Sequence, residues 1–191
     1  DAVFGFAITL LVVSIEVPRD FAGLVRMLRE FPPFVAAFTL LMYFWNEHYR
    51  YFRRYGIEDL TTRMVNYVIL LLVVFSVYQL KFLFSGWFAF MFGPNYGPTS
   101  VRGLSVDELY ALYIVYGTGM AAIYAMYVLL FRHAWSLRDR LELTASERVQ
   151  TRAAIVEFAV QLGVCVLSVV LATKRAHPIL PGVIYGILGQ L

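Results

Sequence analysis

The sequence predicts an all-α, polytopic membrane protein, and three observations carry that prediction. Hydrophobic residues make up 60% of the 191-residue chain and aromatic residues 17%, against about 45–50% apolar in soluble domains. The mean hydropathy is +0.68. The apolar residues gather in runs approaching the roughly 20 residues that cross a bilayer, with sharp changes of composition between them. A chain of this length has room for about five to seven spans and no soluble domain beside them. Residues 1–191 are therefore expected to form a single transmembrane domain.

Six apolar segments follow one another: 2–17, 34–49, 64–84, 109–131, 153–173 and 179–191. The first is short and opens on Asp1 with no methionine, so it is expected to be truncated at its start; with no basic n-region or cleavage site, it is not expected to be a signal peptide. The second follows Pro32-Pro33, read as a helix stop and a good helix start. An Arg- and Tyr-rich loop, 50–63, precedes the third. Before the fourth lies a turn-rich stretch with Gly93-Pro94-Asn95 and Gly97-Pro98. The highly charged segment 132–152 introduces the fifth, and a tight basic turn, 174–178, introduces a half-length or truncated sixth.

Charge orients these spans. The second and fourth loops hold nine basic residues (Arg50, Arg53, Arg54, Arg63, Arg132, Arg138, Arg140, Arg148 and Arg152). The first, third and fifth hold six. The positive-inside rule puts the richer set, and with six spans both termini, in the cytoplasm. Asp1, Trp45, His48 and Asn66 then share one cytoplasmic depth. Trp45 and His48, three residues apart, share a helix face. The four are expected either to form a hydrogen-bonded structural cluster tying three helices together, or to be unrelated polar ends within an interfacial aromatic belt. The net charge of +3 suits loops facing anionic lipid, and nothing resembles a nucleic-acid stripe.

The first segment departs from a plain lipid anchor. At 100° per residue, Ala2, Phe6, Thr9 and Val13 fall within a sector of about 60°, with Leu10 on its flank. Facing a symmetry axis, Phe6, Thr9 and Val13 would make three stacked rings spanning about 10 Å. Apolar rings dewet a pore and threonine hydroxyls offer an ion oxygens. Periodicity alone equally allows lipid contact or bundle core.

Other polar residues have structural readings. Glu157 and Gln161 lie near the start of the fifth span, where an acid snorkels or pairs with Arg148 or Arg152. Lys81 is expected to snorkel from the third span. A partial tyrosine stripe (Tyr110, Tyr113, Tyr116, Tyr124, Tyr127) suggests hydroxyls paired across helices. Gly182-x-x-x-Gly186 permits close helix approach. Cys165 stands alone in an apolar run, so there is no disulfide framework. His133 and His177 have no partners at metal-ligand spacing. No catalytic motif or phosphate-binding loop is present, and Ser14 and Ser168 have no nearby base. An enzyme, a metal site and a cofactor are not expected.

The opening run resembles the first-helix signature of the transmembrane protein 175 family, the endosomal and lysosomal potassium channels and their bacterial relatives. That signature reads Arg-x-x-x-Phe-Ser-Asp, a small residue, then an apolar run with a threonine, closing in Val-Pro. Asp1, Ala2-Val3-Phe4, Ala7-Ile8-Thr9-Leu10-Leu11 and Val17-Pro18 follow it, with the arginine, phenylalanine and serine preceding residue 1. Trp45-Asn46-Glu47-His48 is similar to the family's Trp-x-x-His ending, and Asn66 to its third-helix asparagine.

The resemblance implies a homotetramer of six-helix subunits in a bacterial inner membrane, around a pore lined by the first helix. Its constrictions transfer to Phe6, Thr9 and Val13, with Leu10 as a further candidate. Phe6 stands where the family has Ile or Leu. The implied function is a leak-type potassium channel with modest preference over sodium, its partners being itself, the bilayer and monovalent cations. A secondary transporter and a non-conducting membrane scaffold are the alternatives. Against the transporter, neither an inverted repeat nor a Gly/Pro-broken span is apparent.

Overall fold

The computed structural model describes residues 2–15, 17–93, 105–177 and 180–188, which form six α-helices and no strand. In chain order they are α1 (Ala2–Val13), α2 (Phe21–Tyr55), α3 (Leu60–Phe92), α4 (Val106–Ser136), α5 (Ala145–Thr173) and α6 (Leu180–Leu188). By length and composition α3, α4 and α5 each suffice to cross a membrane, and α1 is a shorter apolar helix. The Asp1 end of the expected polar cluster and the Gly97-Pro98 turn lie outside the described residues.

The helices overrun the apolar segments because charged ends continue them and side-chain caps stop them. Asp20 starts α2, its carboxylate accepting from the Gly23 amide at 2.6 Å and its carbonyl from the Leu24 amide. Asp59 does the same for α3, accepting from the Thr62 amide at 2.8 Å. The Arg/Tyr-rich loop is thereby reduced to residues 56–59, turned by Gly56 at φ +56°. Thr144 and Glu147 close a capping box at the start of α5.

Pro32-Pro33 does not stop a helix, contrary to the sequence expectation: α2 runs through both residues for 35 in all. Each proline removes an amide bond to the preceding turn but keeps a helical φ. Stacked rings span the gap, Phe31 on Phe34 at 6.2 Å and Phe34 on Phe38 at 6.3 Å. Membrane helices tolerate such breaks where neighbours compensate.

The chain divides into two compact units. One comprises Asp1–Tyr49 with Val73–Ser105, the other Arg50–Leu72 with Val106–Leu191. In the first, α1 buries Phe4, Ala7 and Leu11, α2 buries Ala37, Leu41, Phe44 and His48, and α3 buries Val73, Val77 and Leu80. These spacings of three, four and seven are single helical faces.

In the second unit Phe158 of α5 is clasped by α4, with Tyr127 stacked at 4.9 Å, Phe131 at 5.5 Å and Tyr124 at 6.3 Å. Tyr51 meets Phe131 edge-on at 5.2 Å, and the Tyr55 and Thr151 hydroxyls are 2.6 Å apart. Gly117 lets α4 and α5 close up, since a Cβ there would stand 2.5 Å from Val169. Gly182 plays that part for α6, where a Cβ would meet the Tyr113 hydroxyl at 2.7 Å. Of the tyrosine stripe, Tyr110 donates to the Ala176 carbonyl in the turn after α5. Arg148 bonds Asp139 at 2.9 Å and the Leu143 carbonyl at 3.0 Å, and Arg152 lies over Trp135 at 4.4 Å.

Candidate functional site

α1 has two chemically different faces. Phe4, Ala7 and Leu11 are 0–1% exposed, whereas Phe6 is 57% and Val13 70% exposed. Ala2, Gly5, Thr9 and Val12 are exposed as well, and Leu10 is half-buried. Nothing lies within 4 Å of where a Gly5 side chain would begin. The exposed sector is the one that holds Ala2, Phe6, Thr9 and Val13 at helical spacing.

Within that sector the Thr9 hydroxyl donates to the Gly5 carbonyl, one turn back, at 2.9 Å. With its proton committed to its own helix, the hydroxyl oxygen presents only lone pairs outward. Such an oxygen suits a cation rather than an anion. Phe6 and Val13, a turn to either side, carry no polar atom, so the face reads apolar, hydroxyl, apolar.

The end of α1 is held by a charge. Lys81 of α3 donates to the Ser14 carbonyl at 2.6 Å and lies 3.7 Å from the Glu30 carboxylate. Its side chain is only 16% exposed. Snorkelling, expected from the sequence, is therefore replaced by an internal pair. The reason is that both acceptors lie within reach, and a neutralised ammonium is cheaper to keep inside than a lone one. Glu47 is a second buried charge that sequence reasoning passed over, accepting from Asn46 at 3.3 Å.

Of the expected polar cluster, His48 is buried, its ring 5.3 Å from Phe4 of α1, and Trp45 stacks on Tyr49 at 5.5 Å. Asn66 is half-buried on the part of α3 that belongs to the other unit. In that other unit, the His133 Nε2 atom lies 2.6 Å from Asp59. The Thr62 amide, followed by the His133 ring, lowers the Asp59 carboxyl from 3.8 to about 2. No group of three or more His, Cys, Asp or Glu that could hold a metal occurs among the described residues.

These features define an integral membrane protein whose short first helix presents an exposed apolar face interrupted by one hydroxyl. The family described as the endosomal/lysosomal potassium channel TMEM175 matches residues 1–77, which hold α1, α2 and the first half of α3. A protein of Marivirga tractuosa named "Potassium channel" is 33% identical over 175 residues, 90% of this chain and 71% of that one. The crystal structure of a threonine-to-alanine variant of the potassium channel MtTMEM175, bound to a nanobody–MBP fusion, superposes with a TM-score of 0.87. The two are 30% identical, over 98% of this chain and 85% of that one. The chain belongs to the TMEM175 family, a class of channels and not of enzymes.

Proposed function

We propose that the protein is a leak-type potassium channel in which four copies of one six-helix domain, residues 1–191, surround a pore lined by α1. The observation that carries this reading is the exposed Phe6–Thr9–Val13 face, a hydroxyl between two apolar positions on a helix whose opposite face is fully buried. One chain supplies one lining helix, so closure needs identical copies about an axis. The 0.87 TM-score match to a potassium channel supports potassium as the cargo. Potassium is the permeant ion here, and no cofactor takes part.

In such a ring Phe6 and Val13, with Leu10 beside them, form dewetting constrictions, and Thr9 supplies the oxygens that favour potassium over sodium modestly. The basic loops face the cytoplasm of a bacterial inner membrane, with both termini on that side. Asp1, Trp45, His48 and Asn66 are read as structural residues of the helix ends and not as part of the permeation path.

Potassium and sodium flux through the purified protein in liposomes tests the reading. Steady potassium flux independent of a coupling ion is expected, and Thr9→Val should lower the potassium-to-sodium ratio a few-fold. Flux that requires a coupling ion would instead mark a transporter, and no flux a scaffold.

A further inference from the structure

Lys81 lies within the apolar stretch Leu60–Ala89 of α3, where a charge is costly and its presence asks for a reason. Its ammonium reaches the Ser14 carbonyl, which follows the last residue of α1. Helix ends leave carbonyls without intrahelical partners, and the dipole makes that end negative. The Leu10, Leu11 and Val12 carbonyls are satisfied locally. The Ser14 hydroxyl donates to the Leu11 carbonyl at 2.6 Å, the Ser14 amide to Leu10 and the Ile15 amide to Val12. The Ser14 carbonyl is satisfied by α3, through a charge-assisted bond of the stronger kind.

We propose that Lys81, oriented by Glu30, is a positioning residue that fixes the rotation of α1 and so keeps Val13 and Thr9 turned toward the permeation path. This rests on the reading of α1 as the lining helix. Val13 is one residue from the held carbonyl, so a bond that fixes Ser14 fixes the direction of Val13. Glu30 holds the ammonium from α2 and balances its charge, so the clamp adds no net positive charge that would repel a passing cation. Val12 lies about 100° around the helix from Val13. Loss of the clamp lets that residue exchange places with Val13.

The test uses the full chain in liposomes, with Cys165→Ala as background and Val13→Cys or Val12→Cys added. The readout is the rate at which a thiol reagent blocks flux. With Lys81 present, block through position 13 should be several-fold faster than through 12. Lys81→Met should bring the two rates together, and Lys81→Arg, which still donates and is charged, should restore the difference. Glu30→Gln should shift the ratio the same way by less. A ratio unchanged in Lys81→Met, or not restored in Lys81→Arg, overturns the proposal while leaving the lining helix intact. Should Lys81→Met fail to assemble, an unchanged ratio in Glu30→Gln overturns it instead. If neither position blocks with Lys81 present, the lining assignment of α1 fails.

Discussion

The exposed apolar faces of α1 and α5 differ in kind. On α5, Val149, Val156, Val160, Leu167 and Val170 are each 44–67% exposed and follow one another at spacings of seven, four, seven and three. They make one aliphatic stripe about 32 Å long, close to the roughly 30 Å hydrocarbon thickness of a bilayer. The exposed face of α1 is shorter and mixed, carrying an aromatic ring, a hydroxyl with its proton turned inward, and a valine. A stripe whose only requirement is lipid contact has no use for a threonine. The contrast teaches that exposure alone assigns no role, since two faces equally open differ in chemistry.

The largest expected effect lies on the inner face of α5, opposite its stripe. Phe158→Ala removes the ring clasped by Tyr124, Tyr127 and Phe131, and should destabilise the fold by about 3–5 kcal/mol. Denaturant unfolding measures this, and a cost no greater than that of Val160→Ala would show the stripe and the core to be misassigned. Phe6→Ala comes next. It should raise potassium flux on the order of tenfold, equivalent to about 1.4 kcal/mol off the barrier, with little change in stability. Val156→Ala on the α5 stripe should leave flux unchanged. Equal effects of these two changes would erase the comparison.

A smaller effect concerns the start of α3. The Asp59 carboxyl is held at about 2 in the folded protein, below its ordinary 3.8, first by the Thr62 amide and then by His133. The folded value being the lower one, this stabilisation is complete above 3.8 and is lost as pH falls toward about 2. Asp59→Asn should therefore lower the melting temperature at neutral pH, and the gap to the parent protein should narrow across that acid window. A gap that stays constant with pH would remove the carboxylate from the account.

Much of this architecture is legible in the sequence, because long apolar runs and basic loops are direct consequences of the bilayer as solvent. The sector uniting Ala2, Phe6, Thr9 and Val13 is likewise a matter of helical arithmetic. What escapes is whatever depends on a neighbour. Pro32-Pro33 reads as a stop because the missing amides are local, while the Phe31–Phe34–Phe38 ladder that spans them exists only once the helix has formed. Lys81 reads as snorkelling because its partners, Glu30 and the Ser14 carbonyl, are remote in sequence. The helix ends escape for the same kind of reason: a run of arginines looks like a loop until Asp59 is seen capping the helix that follows.

On the proposed function the exposed face of α1, and not the stripe of α5, borders the path of the ion. Thiol block of potassium flux tests it most directly, with Cys165→Ala as background and a single cysteine introduced at Thr9→Cys or at Val160→Cys. Rapid block is expected through position 9, slowed by high external potassium, and none through position 160. Block through 160 with position 9 inert would contradict it.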